Sequence, residues 1–257
     1  GSCGLATGVL PAVERVLLAA FPRGAKSGHA MHEVLERIDF QRQDPDELGL
    51  ATSRALARHG IDPSWAGVVE GAIEAALRTP LLSGKAAFCL GDVATSRRLS
   101  ELEFTFPVAV RDGLRAADLA RIFSEAPAGL PSGYAELVAS LGFAPLRGYL
   151  RGFIDLVFEH AGRFWVVDYK SNFLGERPAD YGPEALREAM SHHHYYLQYH
   201  VYCVAVERYL AQRIRGFDRE RDFGGVLYLF LRGMSPERGP STGVFFERPP
   251  SDRMARL

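Results

Sequence analysis

The chain has 257 residues, 47% hydrophobic and 24% charged, with a formal net charge of −1. This composition suits a chain that buries a real core and argues against a disordered one; near-neutrality removes any global basic signal for nucleic acid without forbidding a local groove. Cys3, Cys89 and Cys203 are scattered, with no CxxC pair, which argues against a disulfide framework or an iron–sulfur cluster and fits a reducing, cytoplasmic setting, and no apolar run reaches the ~18 residues of a membrane span.

Gly1-Ser2 reads as a cloning scar, and a start without Met suggests a fragment of a longer chain. Residues 3–250 are expected to form one domain, helical over about 10–80 and sheet-bearing over about 99–248, with a flexible polar tail at 251–257. In PAVERVLLAAF (11–21) apolar residues recur at three and four, which predicts a helix. Ser27 is a candidate cap for the next, which carries Met31, His32, Leu35, Glu36 and Ile38. Asp44-Pro45-Asp46-Glu47 reads as a capping box with Pro at N1, and Asp62-Pro63 opens a helix to about Leu77.

The period then changes. ELEFTFPV (101–108) alternates Leu102, Phe104, Phe106 and Val108 with Glu101, Glu103 and Thr105, which predicts a strand. RAADLARIFSEA (115–126) reads as a short helix, GFIDLVFEHAGRFWVVDYKSN (152–172) as a hairpin, and 184–213 as one long helix. GGVLYLFLR (224–232) reads as a buried strand and GVFFER (243–248) as an edge strand. The fold class is α/β, a central mixed sheet flanked by helices.

The hairpin carries charges where strands are usually apolar. With Ala161-Gly162 as a two-residue loop, His160 pairs with Arg163, Asp155 falls opposite Asp168, and Phe153 opposite Lys170. Asp155, Asp168 and Lys170 then share one face, while Ile154, Leu156, Phe158, Trp165, Val167 and Tyr169 share the other. Opposed carboxylates repel unless a cation offsets them, and Mg²⁺ accepts oxygen ligands of this kind. A plain cross-strand surface pair with a lysine nearby is the competing reading.

D-x₁₂-D-x-K across a hairpin resembles the core of the PD-(D/E)XK nuclease superfamily, whose fold is restriction-endonuclease-like. FPRGAKSGHAMHEVLERIDF, GFIDLVF, VVDYKSNFLG, HHHYYLQYHVYCVAVERYL and FGGVLYLFLRG are similar to the RecB-like nuclease domains within it, from about Phe21 to Arg248. The resemblance implies Asp155 and Asp168 as metal-binding carboxylates, Lys170 as catalytic lysine, and His32 and the Tyr169 carbonyl as further metal ligands. It also implies Gln198 and Tyr202 as the QxxxY element and Glu103 as a further acidic residue, with Glu101 as its competitor.

The resemblance further implies a Mg²⁺-dependent deoxyribonuclease, with Mn²⁺ or Ca²⁺ as alternatives in vitro, acting on single-stranded DNA. It would work beside a helicase region and RecC and RecD subunits in bacterial double-strand break repair and degradation of linear DNA. A docking module for the RecA recombinase and a stand-alone resolvase-type nuclease are the alternatives. LLSGKAA (81–87) lacks the first Gly and the Ser/Thr of a phosphate-binding loop, so no ATP site is expected.

Other residues have plainer readings. A lone helix histidine such as His32 is commonly structural, and Gln198 and Tyr202, at i and i+4, can simply pack on the sheet. His192, His193 and His194 read as a polar helix start. Arg97, Arg98 and Arg147 suit a solvated surface as well as a DNA groove, and Arg151 is the best placed of the arginines for DNA. Trp65 and Trp165 read as core.

Overall fold

Residues of period two and period 3.6 sort into a sheet between two helical layers. A computed structural model describes residues 14–42, 44–108 and 113–257; Gly1-Ser2 and the first part of the helix expected at 11–21 lie outside them. The strands are β1 (Arg98–Val108), β2 (Gly148–His160), β3 (Arg163–Lys170), β4 (Phe223–Phe230) and β5 (Val244–Glu247), adjacent in that order. All neighbours are antiparallel except β3 and β4, which are parallel, so the sheet is mixed as expected. A parallel pair needs a crossover, supplied by α6 (Pro183–His192), α7 (Tyr195–Arg213) and α8 (Arg219–Asp222).

One face of the sheet carries Leu156, Phe158, Trp165, Val167, Tyr169, Leu227 and Leu229. It packs on α1 (Ala25–Arg37), α2 (Pro45–His59) and α3 (Ala66–Arg78). The opposite face carries Val157, Val166, Val226, Tyr228 and Phe230 and packs on α4 (Ala116–Glu125), α5 (Tyr134–Ala139), α6 and α7. β4 is buried throughout, which explains its unbroken apolar run. Among the described residues no helix is long and apolar enough to cross a membrane.

The two-residue turn is present. Ala161 and Gly162 both have positive φ, 51° and 73°, the signature of a type I′ turn. Pairing runs from His160↔Arg163 to Leu156↔Val167, in the expected register. It stops there, so Asp155 and Asp168 follow in frame but are not a ladder pair, and Phe153 lies opposite Glu103 of β1 rather than Lys170. Ile154 also departs from expectation, joining the α4–α7 side instead of Leu156's side. Glu101 accounts for this: with its φ of 52° the ladder skips the Glu101–Asp155 pair, between Ser100↔Leu156 and Leu102↔Ile154, without shifting register. Across that point the even residues of β1 change sides, from Arg98 on the Phe40 ring to Leu102 in the α4–α7 core.

Four other expectations are corrected. Residues 14–21 are turns, not helix, because Leu18, Phe21 and Pro22 give their carbonyls to the buried Arg232 guanidinium, at 2.5, 3.2 and 2.6 Å. Ser27 lies inside α1, whose N-cap is Gly24. The helix expected over 184–213 is two helices, broken at His194 with φ 54°. The expected flexible tail is a helix, α9 (Ser251–Arg256), with Arg253 and Met254 buried. Asp44 caps α2 as expected through Asp46 N at 3.0 Å, while the Glu47 carboxylate accepts from Asp39 N instead of closing a capping box.

Arg232 also donates to the Ser171 carbonyl at 2.9 Å, so it ties the end of β3 to the segment that leads into α1. Arg232→Met should lower unfolding free energy by about 3–5 kcal/mol in urea titration, because these carbonyls lose a charged donor. His200 is buried, donates from Nδ1 to the Tyr196 carbonyl at 2.7 Å, and is pushed down to about 3 by burial, with the Arg253 charge adding. A depressed histidine keeps its full contribution above the unfolded pKa of ~6.5 and loses stability as pH falls below it, by up to about 1.4 kcal/mol per unit. His200→Phe should therefore flatten the melting temperature against pH between about 6.5 and 4, compared with the parent.

Candidate active site

β2 and β3 part just past Leu156 and Val167, and the freed strand ends hold the charges. In a strand the N–H and C=O of one residue point to the same edge. Tyr169 N donates to Asp155 Oδ2 at 2.7 Å, so the Tyr169 carbonyl faces the same gap. The Lys170 carbonyl points the other way and accepts from Leu231 N at 2.9 Å. His32 reaches the gap from α1, with Nδ1 3.5 Å from Asp155 Oδ2 and its ring edge-on to Tyr169. α1 comes this close because position 28 is glycine; a Cβ there would sit 2.7 Å from Ser171 Oγ.

Asp168 is 3% exposed and meets Lys170 Nζ at 2.5 Å. Lys170 Nζ also donates to Gln198 Oε1 at 3.1 Å and lies over the Tyr195 ring at 3.8 Å. Gln198 Oε1 accepts a second bond from the Tyr228 hydroxyl at 2.9 Å, and its Nε2 donates to the Tyr202 hydroxyl at 2.8 Å. The Tyr202 hydroxyl in turn bonds to Asp168. Asp168, Lys170, Gln198 and Tyr202 thus close a ring in which the glutamine amide can be oriented only one way.

The electrostatics follow. Burial, with Asp155 nearby, pushes the Asp168 carboxyl up to about 6. Burial pulls the His32 imidazole down, but Asp155 and Asp168 outweigh it and the net shift is upward. Burial and the same carboxylates raise the Tyr202 hydroxyl, so it stays protonated as a donor. Glu101 lines the recess with His32, Glu36, Ser100, Asp155 and Tyr169, and burial raises its carboxyl, Asp155 and Glu36 adding.

The structure brings together Asp155, Asp168, Lys170, His32, Tyr169, Gln198 and Tyr202. It does not bring in Glu103 or Arg151, which pair with each other at 2.6 Å on the outer part of the β1–β2 arm. Of the two acids weighed on β1, Glu101 is the one at the site. Arg98 donates to the Ile38 carbonyl, which makes it structural, and Arg97 pairs with Glu159 at the surface. His193 contacts Asn172 at 3.1 Å, and the Tyr195 hydroxyl donates to Asn172 Oδ1 at 3.2 Å. Tyr195, Tyr228 and Asn172 were not singled out by the sequence. A lone hydroxyl inside the apolar run VLYLFL was the available signal for Tyr228.

Two carboxylates, an imidazole and a backbone carbonyl are hard or borderline donors, a set that fits a divalent cation. Among the described residues no three His, Cys, Asp or Glu side chains are already gathered at ligating spacing. The carboxylates are instead met by Lys170 and His32.

A hairpin that opens just where it carries two aspartates, with a lysine beside them, on a mixed sheet, is the arrangement of a nuclease-type core. The sequence matches the PD-(D/E)XK nuclease superfamily over residues 13–253, and the chain belongs to that family. Its relatives include the RecBCD enzyme subunit RecB of Escherichia coli (strain K12), 38% identical over 258 residues, covering 98% of this chain and 20% of that protein. RecB of Mycobacterium tuberculosis (strain H37Rv) is 40% identical over 263 residues, covering 93% and 24%. RecB of Haemophilus influenzae is 37% identical over 236 residues, covering 92% and 18%. The chain spans about a fifth of the length of these curated relatives.

Gln198→Met keeps the volume but removes every bond of the amide and strands the buried Tyr228 hydroxyl. It should cost about 1–3 kcal/mol of stability, read by urea denaturation.

Proposed function

We infer that this domain hydrolyses DNA phosphodiester bonds, single strands by preference, in a Mg²⁺-dependent reaction. The observation that carries the reading is the gathering of Asp155, Asp168, His32 and the Tyr169 carbonyl at one gap, with Lys170 held beside Asp168. Asp155, Asp168, His32 and the Tyr169 carbonyl would hold the cation. When bound, it would supply charge neutralisation at the phosphate and a lowered pKa for water. Mn²⁺ suits the same donors because one of them is nitrogen, and Ca²⁺ suits the oxygens.

The chain's own residues supply the rest. The Lys170 ammonium stabilises negative charge developing on the phosphate and helps to place the attacking water. Gln198 and the Tyr195 ring fix its position. Tyr202 keeps its proton and orients Asp168 rather than serving as a base. Glu101 adds negative charge to the recess and favours cation capture. The similarity to RecB supports action within a RecBCD-type helicase–nuclease, beside RecC and RecD subunits, in double-strand break repair.

The test is cleavage of circular single-stranded DNA with and without Mg²⁺. The parent chain should cut only with the cation and without ATP. Asp168→Ala, Asp155→Ala and Lys170→Ala should each lower the rate at least a hundredfold, following the roughly 3 kcal/mol that one electrostatic group contributes to such a transition state. His32→Ala should instead be partly rescued by excess Mg²⁺. Cutting in chelator, or an Asp168→Ala chain as active as its parent, would defeat the reading.

A further inference from the structure

Past Asp155 the rest of β2, back to Gly148, pairs only with β1 and forms an arm. One face of that arm is closed, with Leu102, Phe104 and Phe106 packed into the α4–α7 core. The other is open. Tyr149 is 75% exposed and Phe153 49%, and Arg151 lies between them. Single exposed apolar residues are ordinary. Two rings flanking an arginine at strict two-residue spacing, on the strand that delivers Asp155 two residues further on, are a pattern.

We propose that this row is a track for single-stranded DNA, with bases stacking on Tyr149 and Phe153 and a phosphate between them meeting Arg151. The proposal rests on the nuclease reading above. Alternate residues of a strand stand about 6.7 Å apart on one face. Tyr149 and Phe153, four residues apart, are thus about 13 Å apart, which a DNA strand drawn out to about twice its ~3.4 Å duplex step covers in two nucleotide steps, leaving one nucleotide between the two stacked bases, at Arg151. Aromatic platforms accept any base, because every base has a π-face, and the backbone is held by cations. Duplex DNA cannot use the rings, since its base faces are already stacked.

Arg151 is engaged by Glu103 at 2.6 Å and lies 5.9 Å from the Phe153 ring. The Arg151 and Glu103 side chains are 64% and 48% exposed. An exposed pair of this kind is weak and yields to a phosphate, which offers Arg a stronger bidentate partner. Glu103 therefore acts as a brake on the track.

The test compares an end-labelled oligothymidylate with an abasic strand of equal length, by fluorescence anisotropy in chelator so that nothing is cut. Tyr149→Leu with Phe153→Leu keeps apolar bulk at two exposed positions and removes the rings. This pair should weaken oligothymidylate binding at least tenfold and leave the abasic strand unaffected, and Phe153→Trp with Tyr149 intact should bind as well as the parent. Arg151→Gln should weaken both strands and Glu103→Gln should strengthen both several-fold. Parent-like oligothymidylate binding by the Leu pair, or an equal loss on both strands, overturns the track, and a thermal melt shows whether the pair is folded. Cleavage in Mg²⁺ separates the two claims. If the parent cuts and the Leu pair cuts as fast at sub-saturating DNA, the track fails and the nuclease reading stands. If the parent does not cut, the nuclease reading fails.

Discussion

A carboxylate that is 3% exposed, as Asp168 is, must be supplied with donors or lose its charge. Lys170 and Tyr202 are those donors, and each is itself placed by Gln198. Gln198 therefore sets two side chains at once, and Tyr228, on the strand beside Asp168, sets Gln198. The result is a polar ring spanning β3, β4 and α7. Loss of any member leaves a buried group unpaired, which ties the geometry of the reactive end to the stability of the sheet–helix interface.

A second restraint fixes the other side of the gap. His32 belongs to α1 and Asp168 to β3, and nothing in the ring connects them. Arg232 does, by donating to the Ser171 carbonyl just past Lys170 and to the carbonyls that precede α1. Gly28 then lets the helix approach Ser171 closely. The imidazole consequently meets Asp155 from across the gap that opens where β2 leaves β3. Glu101 does the comparable service on β1, because its left-handed backbone turns the ribbon and leaves Asp155 itself out of the β1–β2 ladder.

Much of this was legible in sequence, for identifiable reasons. The turn at Ala161-Gly162 and the alternation along both strands fix a register, and register fixes which charges are neighbours. His32 carries no local signal for the site, since its distance along the chain from Asp155 is closed only by tertiary packing; resemblance to a family supplied it. What remained hidden is what depends on backbone exceptions. Neither the positive φ of Glu101 nor that of His194 is encoded by a glycine, so strand and helix patterns run straight through both. That is why Ile154 was assigned to the wrong face and residues 184–213 were read as one helix. The apolar spacing of 11–21 misled differently: the carbonyls of Leu18, Phe21 and Pro22 go to Arg232 from beyond β4, a partner no local window contains.

The break at His194 is part of the site. Ending α6 at His192 and restarting at Tyr195 brings His193 and Tyr195 onto Asn172, two residues beyond Lys170. Tyr195 then lays its ring on the Lys170 ammonium at 3.8 Å, and the new helix presents Gln198 one turn later. An ammonium against an aromatic face and an amide oxygen is partly shielded from water, which strengthens its field at short range. The strained residue is offset by the contacts of His193, Tyr195 and Gln198 that position one ammonium group, which gives His193 and His194 a structural purpose.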